Sequence, residues 1–266
     1  MSESNKFNYA GTKMIKPGLV SVTFRPLSTD NIIKLCAENN LNAIEWGGDI
    51  HVPHGDLKRA QAVGNTTRNA GLTTCAYGSY YQVAESLNKQ LSFQCVLDTA
   101  KALGAPMIRV WAGSKNSEDA DDAYWKAVID ESHQMSELAL KEKIEIAFEF
   151  HSNSLTNTAQ SAQKLVSQIA RKNTGLYWQP IHGLTVDQNC EGLKQIMPWL
   201  RSVHVFHWWP DYTQRFLLSE GIEKWISFFS LIKSDGKNRF ALLEFVKDDS
   251  IENFIKDVQT LKTLLE

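Results

Sequence analysis

The feature that most constrains the fold is a regular alternation of short β-rich apolar runs with longer segments of helical periodicity. Eight runs have the length and residue types of strands, and the chain between them suffices for a helix and two short loops. The predicted strands are residues 19–24, 43–46, 73–77, 107–111, 144–150, 176–178, 203–208 and 240–246. Because parallel strands need crossover connections, eight strand–helix units in sequence favour an α/β fold with a parallel sheet.

Capping residues support helices between these strands. Ser28 or Thr29 can accept a hydrogen bond from the first turn of the first helix, and Ser250 can do so for the last helix. Gly104 stands where a glycine commonly ends a helix. The longest helix is predicted over residues 118–141.

An open doubly wound sheet is the rival architecture, and it usually carries a glycine-rich phosphate turn after its first strand. Here residues 25–28 read Arg-Pro-Leu-Ser, and the chain contains neither a GxGxxG nor a GxxxxGK[ST] motif. No linker rich in proline, glycine or serine interrupts the series of units. We therefore predict one domain over residues 1–266 that forms a closed (β/α)8 barrel.

Composition excludes several classes of protein. The 266 residues are 43% hydrophobic and 22% charged, which is typical of a globular chain that buries a full core. The formal net charge of −2 provides no basic field for nucleic acid or an anionic membrane. The four cysteines form no CxxC pair and are typical of reduced thiols. Residues 1–10 are polar, unlike a signal peptide, and no apolar run reaches the ~18 residues of a membrane span. We expect a cytoplasmic protein without nucleic-acid or membrane partners.

Histidine and tryptophan concentrate at the predicted strand ends. Six of the seven histidines and five of the eight tryptophans fall in or just after a predicted strand. In a (β/α)8 barrel the chemistry lies at the carboxyl ends of the strands and in the loops that follow them. This clustering predicts an aromatic-walled pocket with convergent polar groups.

Four polar residues stand in or at the end of the otherwise apolar strands five to eight. Glu149 and Glu244 lie near the ends of strands five and eight. His204 interrupts strand seven, and Gln179 closes strand six. A carboxylate in a buried strand is disfavoured unless it is paired, hydrogen-bonded or bound to metal. Because these strands are consecutive, their ends converge, and the set of donors suits Mn²⁺, Mg²⁺ or Co²⁺, with Zn²⁺ also open.

Simpler interpretations stand beside the metal site. A buried glutamate can form a salt bridge, and Arg109 in strand four is the obvious partner for the glutamate of strand five. A strand histidine can be a satisfied core residue. His51 and His54 have the spacing of a ligand pair but lie in a loop, where they can line the pocket instead. Trp208 and Trp209 are adjacent and cannot both face inward on one strand, so at least one is expected to line the mouth or an interface.

The positions of these residues resemble those of the xylose isomerase-like superfamily of TIM barrels, the sugar isomerases and epimerases related in fold to endonuclease IV. The resemblance covers nearly the whole chain and rests on strand order and on Glu149, the Gln179-Pro-Ile-His182 segment, His204 and Glu244. It implies one divalent metal ion, with Glu149, His204 and Glu244 at ligand positions and His182 at the position of a second histidine. Gln179 stands where the family usually has Asp. It either keeps an oxygen ligand with less negative charge or binds the substrate and not the metal.

The resemblance also implies a reaction, namely proton transfer at a carbon next to a carbonyl. The metal ion would stabilise an enediolate, while Glu149 and Glu244 on opposite faces of the substrate remove and return the proton. The implied substrate is an unphosphorylated ketose or a related carbohydrate, because the predicted pocket is rich in tryptophan and has no Arg/Lys cluster. The residues assigned to substrate binding are His182, Arg215, Trp111, Trp46, His51, Arg109 and His207.

Three other functions stay open on the sequence. A lyase or dehydratase acting on a keto-sugar or keto-glycoside would use the same site, with elimination replacing the return of the proton. An abasic-site endonuclease would need further metal ligands and a basic groove, but Tyr77 closes strand three where another ligand would be needed. A non-catalytic sugar-binding barrel would follow if the glutamine at position 179 abolished metal binding. The Trp208/Trp209 pair and the habit of the family suggest a homo-oligomer.

Overall fold

The computed structural model describes residues 15–266, so the polar stretch at residues 1–10 lies outside the described residues. Eight parallel strands form a closed barrel in which each strand pairs with the next one along the chain and the last pairs with the first. They are β1 Ile15–Val20, β2 Ala43–Gly47, β3 Thr73–Gln82, β4 Met107–Trp111, β5 Glu145–Glu149, β6 Thr174–Trp178, β7 Leu200–Val205 and β8 Arg239–Leu243. The predicted (β/α)8 barrel is confirmed.

Within residues 15–266 one α-helix follows each strand, and these helices form the outer layer around the barrel. These are α1 Thr29–Glu38, α2 Leu57–Asn69, α3 Phe93–Leu103, α4 Asp122–Lys141, α5 Ala159–Ile169, α6 Val186–Ile196, α7 Ile222–Lys233 and α8 Ile251–Leu265. The predicted caps are confirmed: Ser28 accepts a hydrogen bond from the backbone at the start of α1, Ser250 does so for α8, and Gly104 ends α3 with φ +75°. None of these helices combines the length and the apolar character needed to cross a membrane.

Three strands end three or more residues earlier than the apolar pattern predicts. After β1 the chain turns into a short 3₁₀ helix, Ser21–Phe24, while β7 ends three residues before Trp208 and β8 three residues before Val246. The residues beyond these strands stay apolar because they are still buried. Phe24 packs edge-on against Phe254 of α8, for example, with ring centroids 5.4 Å apart. Apolar periodicity reports burial, whereas the end of a strand depends on backbone hydrogen bonding, which the pattern does not reveal.

The alternation of side chains along the strands places polar groups in the barrel interior at its carboxyl-terminal end. Small or aliphatic residues such as Ala43, Ala147 and Leu242 pack together in the barrel interior. A glutamate lies two residues after each of these three positions, namely Glu45, Glu149 and Glu244. Residues two apart along an extended strand share a face. The glutamates that follow Ala147 and Leu242 are therefore directed inward at the carboxyl-terminal end of the barrel.

Candidate active site

Three buried ionisable side chains meet at the carboxyl-terminal end of the barrel. Glu149 ends β5, His204 lies in β7, and Glu244 directly follows β8. One possible ligand atom from each residue lies within 4.8 Å of the other two. The structure thus brings together three of the residues that the sequence places at metal-ligand positions.

Gln179, which directly follows β6, lies against this cluster through its amide oxygen. The Oε1 atom of Gln179 is 3.0 Å from Nδ1 of His204, and its Nε2 donates to the carbonyl oxygen of Phe150 at 2.7 Å. Because the amide nitrogen is held by that carbonyl, the amide oxygen is the atom directed at the imidazole. Gln179 therefore contributes an oxygen at the edge of the cluster, as the sequence placed it.

Arg109 of β4 balances the negative charge of the cluster. Its Nη1 contacts Glu149, and its Nε donates to Oε1 of Glu45 at 2.6 Å. The simple interpretation of Arg109 as the partner of Glu149 is therefore confirmed. Its assignment to substrate binding is corrected, because the guanidinium is 1% exposed and enclosed between two carboxylates.

Glu45 of β2 is a member of the site that sequence reasoning missed. Its side chain is fully buried, and its Oε2 lies 3.4 Å from Nε2 of His204. The signal was present, since Glu45 interrupts the apolar run Ala-Ile-Glu-Trp at positions 43–46 just as Glu149 interrupts β5. A search for buried-strand carboxylates over all eight strands would have found it.

Burial and charge pairing push the pKa values of the acidic groups apart. Burial raises the pKa of Glu244 to about 7, although His204 opposes the shift. Burial alone would raise the pKa of Glu149 and Glu45 as well, but Arg109 and His204 together outweigh it and hold both below the usual range, with Glu45 at about 2. Burial opposes protonation of His204, yet Glu244 and Glu45 raise its pKa to about 10.

The donor set fits a divalent cation. The buried Oε2 of Glu244 makes no hydrogen bond to any residue of 15–266. Three carboxylates, those of Glu45, Glu149 and Glu244, surround the imidazole of His204, and the guanidinium of Arg109 contacts two of them, Glu45 and Glu149. Buried carboxylates are costly unless a positive charge compensates them. Two carboxylates and one imidazole with an amide oxygen beside them match Mn²⁺, Mg²⁺, Co²⁺ or Zn²⁺.

A cavity of about 720 Å³, here called the mouth cavity, opens beside the cluster. Gln179, His182 and Arg215 line it, as do the aromatic rings of Trp208 and Phe245. The predicted placement of His182 and Arg215 around the mouth thus agrees with the structure. Arg215 is ion-paired with Asp249 at 2.6 Å.

Trp111 connects the cavity wall to the cluster. Its Nε1 donates to Oε2 of Glu149 at 2.6 Å, and its indole stacks on His151 with ring centroids 4.2 Å apart. His151 lines the mouth cavity. Trp111 itself is not among the residues that line the mouth cavity; it supports His151 from behind and orients a carboxylate of the cluster.

Two residues assigned to substrate binding lie elsewhere. Trp46 is fully buried on the outer face of β2, where its Nε1 donates to Oγ1 of Thr67 in α2. The physical reason is strand alternation: the neighbouring Glu45 faces inward, so Trp46 faces the helices. His207 lines a separate cavity beyond His182 rather than the mouth cavity. Both assignments are corrected.

The histidines of the loop after β2 are held by hydroxyl groups. Nδ1 of His51 lies 2.9 Å from Oγ of Ser21, and Nδ1 of His54 lies 2.7 Å from the hydroxyl of Tyr77. Neither histidine belongs to the possible metal cluster found within residues 15–266. His51 is buried away from the mouth cavity, so its assignment to substrate binding is corrected as well.

The adjacent tryptophans after β7 separate as predicted for a pair that cannot share one face. Trp208 is buried, and its Nε1 donates to the carbonyl oxygen of Phe245 at 3.1 Å. Trp209 is 53% exposed. Trp208 therefore lines the mouth, and of the two tryptophans Trp209 is the one with an exposed aromatic surface.

Comparisons with known proteins agree with this architecture. A family description, "Xylose isomerase-like TIM barrel", matches residues 33–264. The fold is similar to the probable 3-DHS dehydratase AsbF of Bacillus anthracis, with a TM-score of 0.77 and 19% identity over 93% of this chain and 99% of that one. It is also similar to D-psicose 3-epimerase of Clostridium cellulolyticum H10, solved with D-tagatose (TM-score 0.72, 13% identity, 94% of this chain and 98% of that one). A third similar structure is the IOLI protein with a bound zinc atom (TM-score 0.73, 18% identity, 94% and 96%). No curated protein sequence matches the chain.

Proposed function

The chain belongs to the xylose isomerase-like TIM barrel family, and from this premise we propose that it is a divalent-metal-dependent sugar isomerase or epimerase acting on a ketose or a related carbohydrate. The observation that carries the proposal is the convergence of Glu149, His204 and Glu244, whose possible ligand atoms lie within 4.8 Å of one another. Similar folds are found in an epimerase and a probable dehydratase, which supports an enzyme of this general kind.

Glu149, His204 and Glu244 would hold the cation, with the amide oxygen of Gln179 as the candidate fourth ligand. The buried Glu244 oxygen without a hydrogen-bond partner in residues 15–266 supports this assignment. When bound, the cation supplies electrophilic stabilisation of the negative charge that develops on a substrate oxygen. The same donor set accepts Mn²⁺, Mg²⁺, Co²⁺ or Zn²⁺, and one protein of similar fold was solved with zinc.

Glu149 and Glu244 are the proposed acid–base pair. They come from β5 and from the end of β8, and one oxygen of each lies 3.5 Å from Nδ1 of His204, which stands between them. Two carboxylates placed in this way can face one substrate carbon from two sides, so that one removes a proton and the other returns it. Arg109 and Trp111 hold Glu149 ionised and oriented through direct contacts to its oxygens.

The mouth cavity supports an unphosphorylated sugar as substrate. The arginine that lines it, Arg215, is already paired with Asp249, and no lysine is among the described residues of the lining. The indole of Trp208 and the ring of Phe245 provide apolar faces against which sugar C–H groups can pack. His182 is the lining residue best suited to bind a hydroxyl group, because its imidazole can both donate and accept a hydrogen bond.

The test is solvent hydrogen exchange. The protein is incubated in D₂O with Mn²⁺, Mg²⁺, Co²⁺ or Zn²⁺ and a panel of unphosphorylated ketopentoses and ketohexoses, and NMR follows deuterium incorporation and the appearance of epimers. We expect metal-dependent exchange that falls by about 10²–10⁴-fold in Glu149→Gln and Glu244→Gln. Glu145→Gln is the matched control, because Glu145 lies at the opposite end of β5 and pairs with Arg201.

The same experiment separates the lyase alternative from the proposal. Loss of water or of a leaving group without epimer formation would establish elimination in place of proton return. Absence of exchange with every metal and sugar, in protein that is folded, would refute the proposed function.

A further inference from the structure

A second cavity of about 440 Å³ lies beside the mouth cavity, between the start of α6 and the start of α7. The ring of His182 separates the two, because it stacks on Trp208 and Phe206 with centroid distances of 5.4 and 5.8 Å. The volume falls within the ~300–1,000 Å³ of small-molecule pockets. Gln179, the neighbour of the cluster that lines the mouth cavity, does not line this second cavity, so we call it the side cavity and treat it separately, although His182 and Trp208 border both.

Apolar side chains form most of the wall of the side cavity. They come from the loop after β6, from α6 and α7, and from the segment after β7, and include Ile181, Leu184, Val186, Phe206, Trp208 and Phe228. Such a wall favours a ligand with an aromatic or aliphatic body over a free sugar.

Lys224 is the cationic side chain of this wall, and it lacks a counter-ion. It lies in the first turn of α7 and is half-buried, and it forms neither a hydrogen bond nor an ion pair with any residue of 15–266. Glu220 and Glu223 are exposed at the rim, and the carboxylate of Glu220 accepts from the backbone N–H of Leu217 at 2.8 Å. Burial lowers the pKa of Lys224 to about 8. A desolvated ammonium group without a partner costs stability, which identifies it as a candidate for ligand binding.

The histidines that face the side cavity do not add positive charge at neutral pH. Burial, together with Lys224, lowers the pKa of His207 to about 4 and also lowers the pKa of His182. Nδ1 of His207 is buried and makes no hydrogen bond within the described part of the chain. The cavity therefore combines one ammonium group, one imidazole nitrogen without a hydrogen bond in the described part of the chain, an apolar wall, and the carboxylates of Glu220 and Glu223 at its rim.

We propose that the side cavity binds a small monocarboxylate with an aromatic or aliphatic body, whose carboxylate pairs with the ammonium group of Lys224. Lys224 is half-buried in the wall, whereas Glu220 and Glu223 are exposed at the rim, so the ammonium group is the charge that a ligand inside the cavity meets. The apolar wall matches the rest of such a ligand. The proposal goes beyond the sugar chemistry of the mouth cavity and uses none of the residues that would hold the metal ion.

The test is a tryptophan fluorescence titration, in which Trp209 is the reporter because it lines the side cavity and not the mouth cavity. The probes are benzoate, phenylacetate and 3-phenylpropionate, each compared with its uncharged amide and with inorganic phosphate. We expect saturable binding of at least one carboxylate, with its amide and phosphate binding at least about tenfold more weakly. We also expect Lys224→Met to weaken carboxylate binding by about tenfold or more and Lys224→Arg to retain it.

Two control variants locate the bound probe. Arg215→Met removes the arginine of the mouth cavity, and Lys256→Met removes an exposed lysine that pairs with Glu252 on α8. Both should bind the carboxylates like the wild type. Lys224→Met should in addition raise the melting temperature, because it removes a desolvated charge from an apolar wall, and this change also shows that the variant folds.

Several results would overturn the proposal. One is equal binding of a carboxylate and its amide, and another is wild-type affinity in Lys224→Met. A loss of binding in Arg215→Met but not in Lys224→Met would place the probe in the mouth cavity. The absence of saturable binding by every carboxylate would likewise refute it.

Discussion

Replacement of Arg109 by methionine tests the charge balance of the barrel interior most severely. The guanidinium donates to Oε1 of Glu45 at 2.6 Å and contacts Glu149, and all three side chains are almost completely buried. Methionine has a similar length but no charge, so the variant leaves two carboxylates without their compensating cation. We expect loss of the charge to dominate over any change in packing.

The magnitude follows from the burial of these groups. Removal of one partner of a buried ion pair typically costs about 3–5 kcal/mol, because the remaining charge is left desolvated. Here one cation serves two carboxylates, so we expect Arg109→Met to lower the free energy of unfolding by at least about 4 kcal/mol. This is a large part of the 5–15 kcal/mol that is usual for a folded domain.

The loss of stability in Arg109→Met should depend on pH, because the charge of Glu45 does. Against the effect of burial, Arg109 and, to a smaller extent, His204 lower the pKa of Glu45 to about 2. The contribution of the Arg109–Glu45 pair to stability is therefore present above the ordinary pKa of glutamate and is lost as the pH falls toward 2. Without Arg109, burial instead favours the protonated carboxyl group. The stability deficit of Arg109→Met should therefore be largest at neutral pH and shrink below about pH 4.

The assay is urea denaturation of the wild type and the variant across this pH range. The matched control is Arg171→Met, because Arg171 pairs with Glu137 at 3.0 Å on the exposed outer surface of the barrel. That control should lose no more than about 1 kcal/mol. Equal losses in the two variants, or a deficit for Arg109→Met that does not depend on pH, would refute this description of the interior.

Three further predictions concern single side chains. Burial raises the pKa of Asp257 to about 6, which makes its ionised form unfavourable in the folded state. Asp257→Asn keeps an acceptor for the Leu218 N–H and should raise the free energy of unfolding by about 2 kcal/mol at about pH 8, with the gain vanishing below about pH 4 in urea titrations. Gln179→Asp adds a carboxylate beside the cluster and should tighten Mn²⁺ binding by about tenfold in calorimetry, whereas unchanged affinity would show that position 179 does not contact the ion. Trp111→Phe removes the N–H donor to Glu149 and should lower the rate of solvent exchange by about tenfold with little loss of stability, as checked by NMR and thermal unfolding.

Sequence reasoning located the cluster because buried carboxylates in apolar strands are rare enough to be informative. Glu149 and Glu244 each interrupt an apolar run, and the order of strands places them near His204. Glu45 carries the same signal but lies on β2, and its contact with His204 crosses the barrel interior between strands far apart in sequence. Such a contact between non-adjacent strands depends on how the closed barrel is packed, which the order of strands alone does not specify.

The orientation of aromatic and histidine side chains was the weakest part of the sequence prediction. Position near a strand end does not decide which face a side chain occupies, and Trp46 and His51 are both buried away from the mouth cavity. Strand parity corrects Trp46, since a neighbour of an inward glutamate must point outward. It does not correct His51, because loop geometry and the hydroxyl of Ser21 determine its direction.

The central claim is that Glu149, His204 and Glu244 hold a divalent cation, and the most direct measurement is the metal content of each chain. Elemental analysis after reconstitution with Mn²⁺, Co²⁺, Zn²⁺ or Mg²⁺ and removal of free ion would compare the wild type with Glu149→Gln, Glu244→Gln and the control Glu145→Gln. The account predicts one ion per chain in the wild type and in the control, and loss of that ion in both cluster variants. Folded wild-type protein that retains no ion, or cluster variants that retain as much as the control, would contradict it.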